Sequence, residues 1–349
     1  MKTVNNIYNE IISPENLFLA WDEFKRGKQH KKDVQRFEWN LEENIFKLYR
    51  ELKNKTYQHG PYESFYIHDP KQRHIHKALV SDRILHHAIF AVINPIFEQT
   101  FISTSFSCRV DFGVHKGVGK FGKMVRKISQ NGFRRCFVLK CDIRKFFDTI
   151  DHNILLEVIK KRVQDNSATW LLEEIIRSFT SPHFKPPRHK GLPIGNLTSQ
   201  LFANIYMNVF DQFMKHRLGV KYYARYTDDF VIVADNEEYL LGLIPIITTF
   251  LKNTLELELH PNKILIRKLG QGVDFLGYIT FLKHRLLRSK TKRRIMAKLQ
   301  RRINEYRAGL ISEFTLNQSV QSYLGVMSHA NTHNLGEQLK NNLWFWLNE

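Results

Sequence analysis

Hydrophobic spacing divides the chain into a helical first third, a centre with the clearest strands, and a helical, very basic end. In the first third, apolar residues recur at helical intervals from Ile84 to Val92, behind the basic, histidine-rich segment KQRHIHK. The breaker Gly60-Pro61 predicts a seam near residue 58. The end of the chain repeats the helical pattern, with Ile295, Leu299 and Ile303 on one apolar face.

The centre contains short apolar runs that predict buried strands. One run begins at Cys136 and ends at Asp142, and two more, Tyr222–Arg225 and Phe230–Ala234, flank the turn Thr227-Asp228-Asp229. A further strand pair is predicted over 264–268 and 273–281. Helices and strands are therefore both predicted along the chain, and no repeat period links them.

Two helices of the centre have clear starting signals. Asp151 occupies an N-cap position before a helix that is predicted to reach Arg162. The Gly/Pro loop that begins at Gly191 precedes a long helix that runs to about His216.

Charge then narrows the class of partner. The 349 residues carry a formal charge of +19, from 53 Lys and Arg against 34 Asp and Glu, while the apolar fraction of 43% indicates a folded protein. A positive field of this size favours a polyanion as the partner.

Membrane and secretory classes are not favoured. The apolar stretch Leu240–Leu251 is too short to span a bilayer, and the N-terminus lacks the features of a secretory signal. Cys108, Cys136 and Cys141 have no zinc-binding spacing and are interpreted as small buried residues in a reducing compartment. A cytoplasmic protein is therefore expected, with no membrane partner.

Three carboxylates are the candidate chemistry. Asp142 ends one predicted strand, and Asp228 with Asp229 lies at the turn between two others, so neighbouring strands would bring all three to one edge of a sheet. Carboxylates gathered in this way need cations, and two Mg²⁺ ions about 3.5 to 4 Å apart suit in-line displacement at phosphorus. The alternative is an ordinary turn, because hairpin tips favour Asp.

Several co-linear segments resemble the conserved boxes of reverse transcriptases. YTDD resembles their Tyr-x-Asp-Asp box, KCDIRKFFDTID their first catalytic box, and GLPIGNLTSQLFANIYMN the loop and helix between the two. FISTSFSCRVDFGVHKGV, HPNKILI and VDFLGYIT resemble three further boxes, so the similarity covers roughly residues 60 to 285. It implies an α+β, right-hand polymerase fold of fingers, a palm with an antiparallel sheet flanked by helices, and a helical thumb. The resemblance also implies a bacterial, archaeal or phage origin.

The resemblance also implies domain boundaries. Residues 1–58 form a helical, basic N-terminal segment, 59–133 the fingers, 134–281 the palm with a fingers insertion at about 160–192, and 282–349 the thumb.

Catalytic roles follow from the same resemblance. Asp142 and Asp228 correspond to the metal-bridging aspartates, Asp229 to a more weakly bound third, and the Ile143 carbonyl to a further metal ligand. Two Mg²⁺ ions are implied, and Mn²⁺ could substitute. Phe147 corresponds to the steric gate that excludes a ribose 2′-hydroxyl.

Other positions correspond to substrate contacts. Arg109 matches a triphosphate clamp, Lys263 the lysine that protonates pyrophosphate, and Gly195 a close approach to the template base. A surface role is the alternative for Lys263. The primer grip is predicted at Phe275, Leu276, Gly277 and Tyr278, and contacts to the nucleic-acid backbone at Lys290, Lys292, Arg293, Arg294, Lys298, Arg301 and Arg302.

One departure from the common family pattern narrows the subtype. Where many reverse transcriptases have glutamine before glycine and proline after serine, this chain has Ile194 before Gly195 and Gln200 after Ser199. The segment IGNLTSQ resembles reverse transcriptases of diversity-generating retroelements. Those enzymes copy a template repeat RNA into cDNA that is mutagenised at adenines, with a small basic pentameric accessory protein. An apolar Ile194 in place of an amide is expected to lower fidelity.

The implied partners are therefore template RNA, the cDNA or primer strand, deoxynucleoside triphosphates and such an accessory protein. Two alternatives remain open at this point. One is a group-II-like, retron or phage-defence reverse transcriptase, and the other is a catalytically silent RNA-binding scaffold with the same fold.

Overall fold

The fold was obtained as a computed structural model that describes residues 3–69, 71–184, 189–332, 334–337, 339 and 341. Residues 185–188 of the predicted insertion and the end of the predicted thumb, 342–349, therefore lie outside the described residues. The helices are α1 (Tyr8–Ile12), α2 (Pro14–Lys25), α3 (Lys32–Trp39), α4 (Leu41–Lys53), α5 (Val80–Glu98), α6 (Val114–Ile128), α7 (Phe146–Thr149), α8 (His152–Lys160), α9 (Asn166–Arg177), α10 (Leu197–Gln212), α11 (Glu237–Leu255), α12 (Ser289–Arg307) and α13 (Glu313–Ser328).

The strands are β1 (Glu63–Ile67), β2 (Arg73–Lys77), β3 (Phe137–Asp142), β4 (Tyr223–Tyr226), β5 (Asp229–Ala234), β6 (Leu265–Lys268), β7 (Val273–Phe275), β8 (Tyr278–Thr280) and β9 (Arg285–Leu287). They form a β1-β2 hairpin, a four-stranded sheet in the order β4-β5-β3-β6, and a three-stranded sheet in the order β7-β8-β9. The pairings β1-β2, β3-β6, β4-β5, β7-β8 and β8-β9 are antiparallel.

The chain separates into two compact units. The first contains residues 1–110, 142–220 and 245–262, and the second contains residues 111–141, 221–244 and 263–349. Both units are built from separated stretches of sequence, because the chain passes between them several times.

In the first unit, helices pack around α5. Helices α2 and α10 both contact α5, whose inner residues Ile84, Leu85 and Ile89 are fully buried. The predicted cap of α8 is confirmed, because the Asp151 carboxylate accepts hydrogen bonds from the backbone N–H groups of Asn153 and Ile154 at 2.9 and 3.1 Å. The N-terminus of α8 is therefore stabilised by the cap residue that the sequence predicted.

In the second unit, α6 packs against β4 and β5 of the four-stranded sheet. The predicted apolar face of α12 is confirmed, because Ile295, Leu299 and Ile303 are buried in a cluster with residues of α13. Burial of this stripe leaves the basic residues of α12 on the other faces of the helix.

One predicted strand pairing is wrong. β6 pairs with β3 instead of with the strand that follows it, while β7 pairs with β8. A 3₁₀ turn over Leu269–Gln271 and a positive φ of 76° at Gly272 redirect the chain between β6 and β7. Gly277, predicted inside a strand, lies in the two-residue turn between β7 and β8.

The sequence also made predictions about the cysteines and about membrane-spanning helices. Cys136 and Cys141 are buried as predicted, but Cys108 is exposed, with a φ of 54° in a loop. Among the helices of the described residues, none is long and apolar enough to cross a membrane.

Candidate active site

The β4-β5 hairpin presents the paired aspartates. Tyr226 pairs with Asp229, so Thr227 and Asp228 form a two-residue turn and Asp229 is the first residue of β5. Thr227 has a φ of 56°, which is unusual for a β-branched residue and marks local strain. The buried guanidinium of Arg225 donates to the Thr227 carbonyl oxygen at 2.9 Å and stabilises the turn.

Arg225 is a supporting residue that the sequence reasoning missed. Its signal was a charge within the otherwise apolar run YARY, since a buried guanidinium requires partners.

Lys140 connects Asp229 to a second strand of the same unit. Its Nζ lies 3.4 Å from Oδ2 of Asp229 and donates to the backbone carbonyl of Asp274 at 2.9 Å. Asp274 in turn forms an ion pair with Arg288, the residue before α12. The Asp229 carboxylate therefore has a cationic partner within the protein. This is a further supporting contact that the sequence did not indicate.

Asp142 is held through its backbone. Its carbonyl accepts from the N–H of His260 at 2.8 Å, and the N–H of Arg144 donates to the Glu258 carbonyl at 2.9 Å. These two bonds flank an antiparallel bridge between Ile143 and Leu259, so the Ile143 carbonyl is not an acceptor in that bridge. The arrangement suits the predicted use of this carbonyl as a ligand.

In the four-stranded sheet, β5 lies next to β3, the strand whose last residue is Asp142. In the part of the chain that the structure describes, no three His, Cys, Asp or Glu side chains are grouped as a metal site. The donors at these positions are carboxylate and carbonyl oxygens, and Asp142 and Asp228 are both partly exposed. This donor set fits Mg²⁺, which takes few carboxylates and completes its shell with waters and substrate phosphates.

Phe147 follows Asp142 on the short helix α7. The neighbouring Phe146 is buried, whereas Phe147 is only partly buried, with the two ring centroids 5.4 Å apart. The Phe147 carbonyl accepts from the N–H of Leu192 at 2.7 Å, which ties α7 to the Gly/Pro loop. Of the two rings, Phe147 is thus the accessible one, as its predicted role requires.

The loop before α10 is joined to the β1-β2 hairpin. The N–H of His76 donates to the Ile194 carbonyl at 3.0 Å. Gly195 has a φ of 121°, and a Cβ added there would lie 3.0 Å from Cγ2 of Ile75. Glycine is therefore required by both conformation and space. Ile75 and His76 are neighbours of this site that the sequence reasoning missed, and Gln200 is exposed one turn into α10.

Arg109, the predicted triphosphate clamp, is held by contacts with its own loop and with α5. Its guanidinium is ion-paired with Glu98 at 2.6 Å and donates to the carbonyl oxygens of Ile102 and Ser105 at 2.8 and 2.7 Å. The Arg109 side chain is only 5% exposed. These charge-assisted contacts stabilise the loop that contains Arg109. The triphosphate role remains a prediction.

The four residues of the predicted primer grip differ in burial. Phe275 is fully buried against Phe121, and Tyr278 is 3% exposed with its hydroxyl donating to the Val326 carbonyl at 3.0 Å. The side chains of Phe275 and Tyr278 therefore belong to the core. The accessible part of the predicted grip is the turn, where Leu276 and Gly277 have φ angles of 54° and 88°.

The remaining predicted contacts are distributed over the second unit. Lys263 ends a 3₁₀ turn and is partly exposed. On α12, Lys290, Lys292, Arg293 and Arg301 are exposed, while Arg294, Lys298 and Arg302 are partly buried. Arg302 is paired with Glu305 at 2.8 Å, so part of the helix charge is already neutralised.

A family model for "Reverse transcriptase (RNA-dependent DNA polymerase)" matches residues 67–280. The matched span covers more than half of the chain and contains the acidic segments, the Gly/Pro loop and the β7-β8 turn. The chain therefore belongs to the reverse transcriptase family.

Curated relatives agree with this membership. The chain is 25% identical to Protein YkfC of Escherichia coli over 277 residues, covering 69% of this chain and 71% of YkfC. It is also 25% identical to the group II intron-encoded protein LtrA of Lactococcus lactis over 346 residues, covering 80% of this chain. The chain spans about half of LtrA, since 54% of that protein is covered.

A solved structure supports the fold class. Apo telomerase from Candida tropicalis superimposes with a TM-score of 0.50 at 12% identity, covering 78% of this chain and 60% of that chain. The predicted α+β, right-hand polymerase fold is confirmed.

Proposed function

We propose that this protein is an RNA-templated DNA polymerase that copies a template repeat RNA into adenine-mutagenised cDNA for a diversity-generating retroelement. Family membership and the hard-oxygen donors at the acidic positions support polymerase activity. The segment Ile194-Gly195 with Gln200 supports the retroelement subtype.

The proposed chemistry is attack by a primer 3′-hydroxyl on the α phosphorus of a deoxynucleoside triphosphate. Two bound Mg²⁺ ions, or Mn²⁺ in their place, would activate the attacking oxygen and neutralise the leaving pyrophosphate. Asp142, Asp228, Asp229 and the Ile143 carbonyl would hold them. Phe147 would exclude the ribose 2′-hydroxyl, and Lys263 would protonate pyrophosphate.

The observation that carries the fidelity proposal is the contact between Ile194 and the β1-β2 hairpin. The Ile194 carbonyl accepts from His76, so the loop backbone is fixed while its side chain offers only shape and dispersion. A polar side chain at this position could hydrogen-bond near the template nucleotide, whereas isoleucine cannot. Reduced discrimination between correct and incorrect pairs follows from that difference.

The proposed organisation keeps an N-terminal segment (1–58), fingers (59–133), palm (134–281) and thumb (282–349). The exposed lysines and arginines of α12 would follow the backbone of an RNA–DNA duplex. A small basic pentameric protein is the proposed accessory partner, and a cytoplasmic location is proposed for the complex.

Primer extension on an RNA template, followed by sequencing of the cDNA, tests both levels of the proposal. Wild-type protein is expected to extend the primer with errors concentrated opposite template adenines, and Asp142→Ala is the inactive control. Ile194→Gln is expected to lower the error frequency at adenines while extension continues. Identical error spectra for Ile194→Gln and wild type would refute the fidelity role.

A group-II-like reverse transcriptase is the second candidate, because the LtrA match covers 80% of this chain. It predicts extension with few errors at adenines and no dependence on an accessory protein. A catalytically silent scaffold predicts RNA binding without any extension, so the same assay separates the three.

A further inference from the structure

A cavity of about 350 Å³ lies in the first unit, next to the loop that contains Gly195. Its walls come from α2, from the β1-β2 hairpin, from α5 and from the start of α10. The aromatic and polar residues that line it include Phe65, Lys77, His86, His87, Asn196 and Gln200. We call this space the α10 cavity. Its volume is at the lower end of the range for pockets that bind small organic groups.

Asn196 is a polar wall residue that the fold leaves unsatisfied. It is 2% exposed, and among the described residues neither its side-chain nitrogen nor its side-chain oxygen has a hydrogen-bond partner. It occupies the N-cap position of α10, where asparagine is favoured, yet its side chain makes no cap hydrogen bond. Burying an unpaired amide costs free energy, which a ligand with a donor and an acceptor would recover.

His86, on the α5 wall of the cavity, is a second buried polar residue without a hydrogen-bond partner among the described residues. It is 1% exposed, and neither ring nitrogen has a hydrogen-bond partner within the described part of the chain. Burial, together with His59, His87 and Arg83, lowers the pKa of His86 well below its usual range. The ring is therefore neutral at physiological pH and offers one donor and one acceptor.

The other wall groups suit a nucleotide. Lys28, Lys77 and Arg83 line the cavity. Asp33 pairs with both Lys77 and Arg83, and Glu63 pairs with Lys77, so only two carboxylates pair with this group of three cations. Phe65 of the hairpin, which is exposed, and the imidazole rings of α5 provide flat faces on which an unstacked base can lie. The Asn196 amide could hydrogen-bond to the edge of a base, and the flat rings could stack on its face. The positive charge at the wall suits the phosphate of the same nucleotide.

The position of the cavity indicates the source of that nucleotide. Ile75, Gly195 and Asn196 line it, and the hydrogen bond from His76 to Ile194 joins the same hairpin to the same loop. The proposed function assigns this loop to the template base. A neighbouring space for a single nucleotide therefore suits the template residue that has not yet paired.

We propose that the α10 cavity binds one unpaired nucleotide of the template RNA, with the Asn196 amide and the His86 ring hydrogen-bonding to its base. The inference rests on the proposed function for the identity of the strand. The shared ligand chemistry is a nucleotide, and a free nucleotide is the competing source.

The test measures binding of the full chain, without metal or deoxynucleotides, to two RNA–DNA duplexes. One is blunt, and the other has a template overhang with 2-aminopurine at its first unpaired position. The variants are Asn196→Leu and His86→Phe, which keep approximate side-chain size but remove the polar atoms. Asn9→Leu, at an exposed position on α1, is the matched control. Titration with AMP alone forms a separate arm.

Wild-type protein is expected to bind the overhang duplex more tightly than the blunt one. Each variant should weaken overhang binding about tenfold, the factor that corresponds to loss of roughly one buried hydrogen bond. Blunt-duplex affinity and the melting temperature should be unchanged, because the variants remove groups that are unsatisfied in the free protein. The 2-aminopurine fluorescence should respond to wild-type protein and much less to either variant.

Equal effects on both duplexes, or no effect on either, would overturn the proposal. Saturable AMP binding that Asn196→Leu abolishes, with overhang binding intact, would assign the cavity to a free nucleotide instead. If both variants lowered the melting temperature strongly, the two polar groups would be structural. Asp142→Ala is expected to retain the overhang effect, so a failure of catalysis and a failure of this inference remain distinguishable.

Discussion

The β4-β5 hairpin and the α10 cavity both place polar side chains in apolar surroundings, but they stabilise them differently. At the hairpin, Asp229 has the Lys140 ammonium 3.4 Å away, and Arg225 secures the turn beside it. At the cavity, Asn196 and His86 have no hydrogen-bond partners within the described residues. Under the two proposals, the groups for chemistry are oriented by the protein itself, whereas the groups for recognition are left for the ligand to complete.

The largest expected effect tests the hairpin side of this comparison. Asp228→Ala is expected to reduce primer extension at least about a thousandfold, because a proposed metal ligand supplies several kcal/mol of charge stabilisation. Asp229→Ala should reduce it less, since Asp229 is proposed to be the more weakly bound third carboxylate. Extension rates for both variants and for Asp235→Ala, an exposed residue after β5, would be compared. Equal losses for Asp228→Ala and Asp229→Ala would contradict the proposed asymmetry.

An intermediate effect is expected at Lys140. Lys140→Met removes the cation that orients the Asp229 carboxylate and the donor to the Asp274 carbonyl, so the extension rate should fall about 10- to 100-fold. Lys140→Arg should recover part of the rate. Lys127→Met, an exposed residue on α6, is the control. A full rate in Lys140→Met would show that Asp229 needs no such partner.

The smallest effect tests the cavity wall. Burial alone would raise the pKa of Asp33, but hydrogen bonds and charge from Lys77 and Arg83 outweigh it and lower the pKa to about 2. Asp33→Asn should therefore lower the free energy of unfolding at pH 7 by about 1 kcal/mol, a value discounted for solvent screening.

This contribution of Asp33 has a definite pH dependence. Because the folded-state pKa is lowered from 3.8, the contribution is fully present above about pH 4 and is lost as the pH falls towards 2. Denaturant unfolding of Asp33→Asn and wild type across this range provides the measurement. Asp22→Asn, which breaks an exposed ion pair with Lys25, is the control and should show a smaller difference. A difference that persisted at pH 2 would contradict the assignment.

Local sequence signals predicted elements with strong periodicity or capping. The Asp151 cap and the buried face of α12 could both be predicted, because residues close together in the sequence determine them. The pairing of β6 with β3 could not be predicted, since the pairing of strands that are distant in sequence depends on the packing of the whole sheet.

In the candidate site, too, the sequence predicted some features, while others depend on tertiary contacts. Paired aspartates between apolar runs, in the right order with the other boxes, identified the family. The contacts of Arg109 could not be predicted in this way, because a motif position does not reveal that Glu98 and two loop carbonyls bind the guanidinium. Phe275 and Tyr278 were likewise residues whose burial depends on distant parts of the chain.

The sequence by itself determined the family, the basic character and the positions of the acidic segments, because residue identity and spacing carry that information directly. Only the tertiary structure decided which polar groups have partners. Lys140 meets Asp229, and Asn196 meets none among the described residues, although both are ordinary polar residues in the sequence. The reason is physical: hydrogen bonding and burial depend on contacts between residues far apart in the chain.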